Sequence, residues 1–460
     1  MSRLVVVSNR VGSVKNSNQA GGLAVAMADA LRATGGLWFG WSGEIDERAE
    51  EASPQIEEAG RVRIATIPLT EREYADYYLG FSNQELWPVF HYRLDLATFD
   101  RGFIAGYRRV NQRFAQSLLP LLSNDDVVWV HDYHLIPLGA ELRARGAGQR
   151  IGFFLHIPWP PRAVFVATPE HVWLVRSMFA YDLVGFQTET DASHFRRYVV
   201  EEIGGTDHGD GRLTAFGRTI RADVFPIGID VDAFRRMATT REAGEQIERL
   251  RRRMLGRAHI VGVDRLDYSK GLPDRFRAFQ RLLDLYPHNR KAVTLTQIAP
   301  PTREDVQAYT DIRNELAQLS GQINGAYGDF DWTPVRYIHR PVLRRTLAAI
   351  FRSSEVGLVT PLRDGMNLVA KEYVAAQDPD SPGVLILSRF AGAAEDLAEA
   401  LIINPYDVDG VVEALQRALA MRLEERRERH AALLDRIRKR DVATWRRQFL
   451  DALGAARLPS

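Results

Sequence analysis

One pattern recurs from end to end of this chain and constrains its fold more than any other. A short, continuously apolar run rich in β-branched residues stops at a polar or Gly/Pro cluster, and a longer amphipathic stretch follows. The runs occupy residues 4–7, 127–130, 151–155, 183–186, 224–227, 260–263, 293–298, 356–360, 384–387 and 401–403. Short strands that are apolar on both faces belong in parallel sheets covered by helices. The intervening stretches have helical spacing. After Gly271, Pro273 stands where a first turn tolerates proline; Phe276, Phe279, Leu283 and Tyr286 follow at helical intervals, and Pro287 closes the helix.

The 460 residues suit two cores of roughly 200 residues each. A polar stretch rich in Arg and Glu, residues 230–257, expected to be helical, separates a first set of strands from a second that begins at His259. The expected fold is α/β, two doubly wound Rossmann-like domains facing each other across a cleft. The expected domains are 1–232, joined by a C-terminal helix 444–460, and 233–443.

Charge and composition exclude several functions. A formal net charge of +1 lacks the basic surplus that nucleic acid or an anionic membrane surface selects. Local runs such as Arg251–Arg253 read as solvated helix faces. With no cysteine, a disulfide framework, a thiolate metal site and a cysteine nucleophile are all excluded. The apolar run 4–7 is too short for a secretory signal or a membrane span, so a cytoplasmic location is expected.

In open parallel sheets, ligands sit beyond the carboxyl ends of the strands, so the residues just after each run carry the information. After the first run come Ser8, Asn9 and Arg10, then a polar loop leading to Gly21 and Gly22. Paired glycines opening a helix let a phosphate approach the backbone, or simply make a tight turn. Two neighbouring strands end in His131-Asp132-Tyr133-His134 and His156-Ile157-Pro158. These histidines are either structural or part of a site; the three convergent ligands usual for zinc are missing from the pattern. After residue 263 comes Asp264-Arg265-Leu266-Asp267-Tyr268-Ser269-Lys270-Gly271. Its two cations can grip a diphosphate from different sides, or pair with the adjacent aspartates in an ordinary surface loop. The prolines of Pro300-Pro301 hold Arg303 for a bidentate phosphate contact. After residue 360 come Asp364 and the free amides of Met366, Asn367 and Leu368, at the start of a helix carrying Lys371 and Glu372. Glu372 can accept hydrogen bonds from a ribose diol. A P-loop, a dinucleotide fingerprint after a strand and a nucleophile elbow are all absent from the sequence.

These segments together resemble the trehalose-6-phosphate synthases, retaining glycosyltransferases of the GT-B type. The resemblance runs through Ser8-Asn9-Arg10, Gly21-Gly22-Leu23, Phe39-Gly40-Trp41-Ser42-Gly43, Tyr77-Tyr78 and Leu86-Trp87-Pro88. It continues through the two histidine segments, Gly185-Phe186-Gln187-Thr188, the 264–271 loop and Arg363-Asp364-Gly365-Met366-Asn367-Leu368. It implies a glucose-6-phosphate site at Arg10, Tyr78, Trp87, Asp132 and Arg303. It implies a donor site at Gly21, Gly22, Arg265, Lys270, Val342, Asp364, Met366, Asn367, Leu368 and Glu372. His156 resembles the histidine beside the donor glucose, and with Arg265, Lys270 and Asp132 makes the expected catalytic set. Loop 11–20 departs from the family pattern, and Trp159 stands where a phenylalanine is expected, a change of packing.

The resemblance implies glucosyl transfer from UDP-glucose to glucose-6-phosphate, giving α,α-trehalose-6-phosphate and UDP with retention. No cofactor or metal is expected, because the two cations take the metal's part. With no phosphatase half in the sequence, a separate phosphatase is expected to act downstream; self-association is left open. The alternatives are a sister transferase using GDP- or ADP-glucose or an acceptor such as glycerol-3-phosphate, a retaining glycoside hydrolase, and a silent sugar-nucleotide sensor.

Overall fold

The computed structural model describes residues 3–12, 27–28, 31–32, 34–49, 52–303 and 305–456. By packing, the chain forms two units: Met1–Pro226 with Ala443–Ser460, and Ile227–Val442.

The described strands of the first unit are β1 (Leu4–Arg10), β2 (Gly36–Ile45), β3 (Gln55–Ala59), β4 (Val62–Leu69) and β5 (Val127–His131). They continue as β6 (Arg150–Phe154), β7 (Leu183–Phe186), β8 (Thr206–Asp207), β9 (Arg212–Ala215) and β10 (Arg218–Val224). They form one sheet in the order β3-β4-β2-β1-β5-β6-β7-β10-β9-β8. From β4 to β10 the neighbours are parallel, and antiparallel strands extend both edges. Its centre is the expected apolar core: Val5, Val6, Val7, Val128, Trp129 and Val130 are wholly buried. The closing helix Val442–Ala455 lays Trp445 against Trp129 and Phe154, with ring centroids 4.8 and 5.2 Å apart. Its Phe449 lies over Gly152 and Gly185, where an added Cβ would come within 2.9 Å of that ring.

The second unit holds β11 (Ala258–Val263), β12 (Val293–Ile298), β13 (Val335–Ile338), β14 (Val356–Val359), β15 (Val384–Ser388) and β16 (Leu401–Ile403). Their order is β13-β12-β11-β14-β15-β16, with every pair parallel. In this unit's own count, the order runs third, second, first, fourth, fifth, sixth. That is the doubly wound dinucleotide-binding arrangement, whose direction of winding reverses between its first and fourth strands.

One expectation needs correction. Residues 224–227 are not a strand: β10 stops at Val224, and Pro226, which has no N–H to give a ladder, lies beyond its end. The polar stretch 230–257 is helical as expected, in two pieces, Val231–Ala238 and Arg241–Met254. Asp230 caps the first by accepting from Ala233 N at 2.8 Å, and Thr240 caps the second by accepting from Ala243 N at 3.1 Å. Among the described residues, no helix is long and apolar enough to cross a membrane.

Candidate active site

The reversal of winding in the second unit places the loops after β11 and β14 side by side. Leu362 N donates to Ser269 O at 2.7 Å, joining them through the backbone. Their side chains meet as well. Lys270 Nζ donates to Asp364 Oδ2 at 2.7 Å, and both groups are largely buried. The same carboxylate oxygen accepts from Asn367 Nδ2 at 3.0 Å. Asn367, in the left-handed region at φ 76°, turns its Oδ1 onto Ala370 N and caps the helix Leu368–Ala376. The first amides of that helix open at the carboxyl end of β14, beside the Lys270–Asp364 pair. Arg265 is exposed on the β11 loop.

Below this surface lies a wholly buried guanidinium. Arg275, on the helix Leu272–Leu285, donates to Asp264 Oδ2 at 2.7 Å, Gln297 Oε1 at 2.7 Å and Thr360 Oγ1 at 2.9 Å. It therefore fastens together the ends of β11, β12 and β14. Only glycine fits at 262, where an added Cβ would stand 2.4 Å from both Arg275 Nη1 and Gln297 Oε1. Burial pushes the Asp264 carboxyl up, and Arg275 and Lys270 oppose that shift. Glu372 accepts from Arg344 Nη2 at 2.9 Å; burial raises its carboxyl while that arginine lowers it. Arg303 Nη1 is held by Tyr309 Oη at 2.6 Å and Asp267 Oδ2 at 3.4 Å. Val342 is half-buried just before the helix Arg344–Arg352, and Met366 is buried.

The first unit repeats the principle, since its winding reverses between β1 and β5. Arg10, at the end of β1, places its guanidinium 5.6 Å from the Trp41 ring. Gly43 leaves it room, because a Cβ there would meet Arg10 Nη2 at 2.5 Å. Tyr78 stacks on His134 at 5.9 Å and on Tyr74 at 5.4 Å, both nearly parallel. It rides on a wide π-helical segment, Tyr74–Leu86, which closes with Trp87 N donating to Ser82 O. Trp87 is buried against His91, 4.1 Å between centroids. Asp132 directly follows β5 at φ 76° and accepts from His156 N at 3.2 Å. The His156 ring faces His131, Nε2 to Nδ1 at 3.0 Å. Burial pushes His156 down to about 3 and His131 well below its ordinary value, so both rings are neutral. Trp159 is wholly buried, with Phe90, Phe165 and Phe195 around its ring. Gly21, Gly22 and residues 13–20 of the preceding loop lie outside the described residues.

A family model for glycosyltransferase family 20 matches residues 3–455. The chain belongs to glycosyltransferase family 20. It is 51% identical to the trehalose-6-phosphate synthase of Klebsiella pneumoniae over 454 residues, covering 98% of this chain and 95% of that protein. A UDP-forming α,α-trehalose-phosphate synthase from Burkholderia xenovorans, solved in complex with glucose-6-phosphate, superposes with a TM-score of 0.95. That comparison is 53% identical and covers 98% of this chain and 100% of the other. An E. coli structure bound with UDP-2-fluoro glucose gives a TM-score of 0.94 at 49% identity, covering 99% of each chain.

Within this family 20 fold, the sequence reading had named most residues at the two points of reversal but not those that hold them. Arg275, Gln297 and Arg344 went unnoticed, because buried polar partners carry no spacing signal of their own. Asn9 carries no spacing signal either, yet its Oδ1 accepts from Tyr77 Oη at 2.8 Å and ties the end of β1 to the π-helical segment. His131 and His156 had been placed on adjacent strand ends, but not as a bonded pair. Among the described residues, no group of three or more His, Asp or Glu is placed to hold a metal ion.

Proposed function

We propose that this family 20 glycosyltransferase moves glucose from UDP-glucose to glucose-6-phosphate, giving α,α-trehalose-6-phosphate and UDP with retention at the donor carbon. The observation that carries the reading is the joining of Lys270 and Asp364 where the winding of the second sheet reverses, with Arg265 exposed on the same loop. A leaving nucleoside diphosphate gains negative charge as its bond to glucose breaks. Preoriented cations and helix-terminal amides stabilise that charge without reorganising. Arg265 and Lys270 supply the cations, and the amides of Met366, Asn367 and Leu368 supply the dipoles. Asp364, neutralised in part by Lys270, accepts from a sugar hydroxyl.

In the first unit, Arg10 meets the phosphate of the acceptor, while Tyr78, Trp87 and Asp132 recognise its hexose. His156 contacts the transferred glucose as a neutral hydrogen-bonding group. The bond from the donor C1 to the diphosphate oxygen breaks as the acceptor's anomeric oxygen bonds to C1 on the same face. The acceptor's proton passes to the departing phosphate oxygen. A double-displacement route would need a second carboxylate about 5 Å from the acid, and none is assigned here. The product keeps its phosphate, and a separate cytoplasmic phosphatase would remove it.

The relatives support this reading: one is a trehalose-6-phosphate synthase, and a solved relative from Burkholderia vietnamiensis is a UDP-forming α,α-trehalose-phosphate synthase. A screen of UDP-, GDP- and ADP-glucose against glucose-6-phosphate and glycerol-3-phosphate tests it, with the product's anomeric configuration read by NMR. UDP release that requires glucose-6-phosphate and yields the α,α-linked product is expected; free glucose as the main product contradicts it. Because the two cations supply the charge, activity in excess chelator should equal that without it, and abolition would refute that assignment.

A further inference from the structure

His131 is absent from every role assigned so far, yet it is wholly buried and its ring bonds to that of His156. Two neutral imidazoles whose nitrogens stand 3.0 Å apart need one N–H and one lone pair between them. Two arrangements are possible. If His156 Nε2 donates, the remaining proton of His131 sits on its own Nε2. If His131 Nδ1 donates, His131 Nε2 is a bare lone pair and His156 keeps its proton on Nδ1.

The surroundings of His131 Nε2 decide between them. That atom is buried with no hydrogen-bond partner. Its neighbours are aromatic: Trp129 at 4.5 Å, Trp445 at 6.3 Å and Phe154 at 6.5 Å between centroids. The polar atoms these rings bring, Nε1 of Trp129 and of Trp445, are themselves buried and unpartnered, and an indole N–H can only donate. A proton on His131 Nε2 would be an orphaned N–H among other donors. A buried unpaired N–H is among the rarest features of folded proteins, whereas an underused acceptor is better tolerated.

We infer that His131 is a positioning residue whose Nδ1–H donates to His156 Nε2, fixing His156 in the tautomer that carries its single proton on Nδ1. The inference rests on the assignment of His156 to the transferred glucose. Nδ1 of His156 lies 3.4 Å from Gln187 Nε2, and the inferred tautomer requires that amide to be turned so that its Oε1 accepts there. With Nε2 occupied by His131, His156 can meet the sugar only through Nδ1–H, in exchange for its contact with Gln187, and it takes no proton from the acceptor. This agrees with the leaving phosphate oxygen taking that proton.

The test uses the full chain labelled with ¹⁵N-histidine, with His156 assigned by the signals lost in His156→Gln. Wild-type His156 should show a pyridine-type Nε2 and a protonated Nδ1. In His131→Asn, whose amide nitrogen can replace Nδ1–H, that pattern should persist; in His131→Leu it should become a tautomer mixture. Turnover should follow. Partners that orient metal-bound histidines are typically worth about 10- to 100-fold; by the lower end of that measure, His131→Leu, at a site without metal, should lose on the order of tenfold in kcat, with KM for glucose-6-phosphate unchanged. His131→Asn should recover most of that loss. A wild-type His156 protonated on Nε2 overturns the inference even if neither variant folds. So does a His131→Leu spectrum like wild type, or an Asn variant no faster than the Leu variant. If instead His156→Gln turns over normally, the role of His156 fails, while the spectrum still reports the tautomer.

Discussion

At the scale of single residues, the decisive group is an ammonium held in place by a carboxylate. Lys270 is only 6% exposed, and its partner Asp364 is fixed in turn by Asn367. Long side chains lose rotamer freedom when they bind; this lysine has lost much of it before substrate arrives. Lys270→Met removes the charge and keeps much of the length. It should lower kcat with UDP-glucose by about 100-fold or more, the usual cost of deleting one donor at such a site. Steady-state kinetics checks this, and a change confined to KM would mean that the ammonium binds donor and transition state alike. Glu372 illustrates a limit of reading residues singly. As an acid four residues past Leu368 it could be read in sequence as a ribose contact, whereas its bond to Arg344 joins residues 28 positions apart.

At the scale of elements, Arg275 does for strands what Asp364 does for Lys270. Its three bonds hold the ends of β11, β12 and β14, from which the loops of the proposed donor site depart. Arg275→Met would leave the Asp264 carboxylate buried without its cation, at a cost of about 3–5 kcal/mol. Urea unfolding followed through the second unit should show a loss of that size, and a variant as stable as wild type would contradict it. How much of this architecture was legible follows from burial. β1, β5, β6, β7, β11, β14, β15 and β16 announce themselves as short, mostly apolar runs, and β12 does so despite Thr294, Thr296 and Gln297 within its buried length. β2 hid behind its glycines and tryptophans, β3 and β8 behind exposed, polar antiparallel pairing, and β9 behind a four-residue alternating pattern. The π-helical segment Tyr74–Leu86 follows no 3.6-residue stripe, so its aromatic residues could be named but not placed.

At the scale of the whole molecule, buried titratable groups link stability to pH in opposite directions. His131, His156 and His259 are kept neutral by burial, the last two down to about 3. Unfolded histidine takes up its proton near pH 6.5. Below that value the unfolded state binds more protons, and these residues make stability fall on acidification. Glu85 acts the other way: burial raises its carboxyl from 4.5 to about 8. Folded protein then holds a proton that the unfolded chain has released, so this residue lowers stability as pH rises through that window. Between pH 6.5 and 8, wild type should lose about 1 kcal/mol more per pH unit than Glu85→Gln, the difference fading toward pH 8. Denaturant midpoints across that range check the difference, and parallel slopes would contradict it.

In the proposed mechanism Arg265 and Lys270 stabilise a departing diphosphate, and Arg265 offers the cleaner test because it is exposed. An exposed substitution usually changes stability by only about 0.5 kcal/mol, so the folded protein can be assayed directly. Turnover of Arg265→Ala with UDP-glucose and glucose-6-phosphate should fall about 100- to 1,000-fold while its melting temperature stays near that of wild type. Wild-type turnover by that variant would contradict the account.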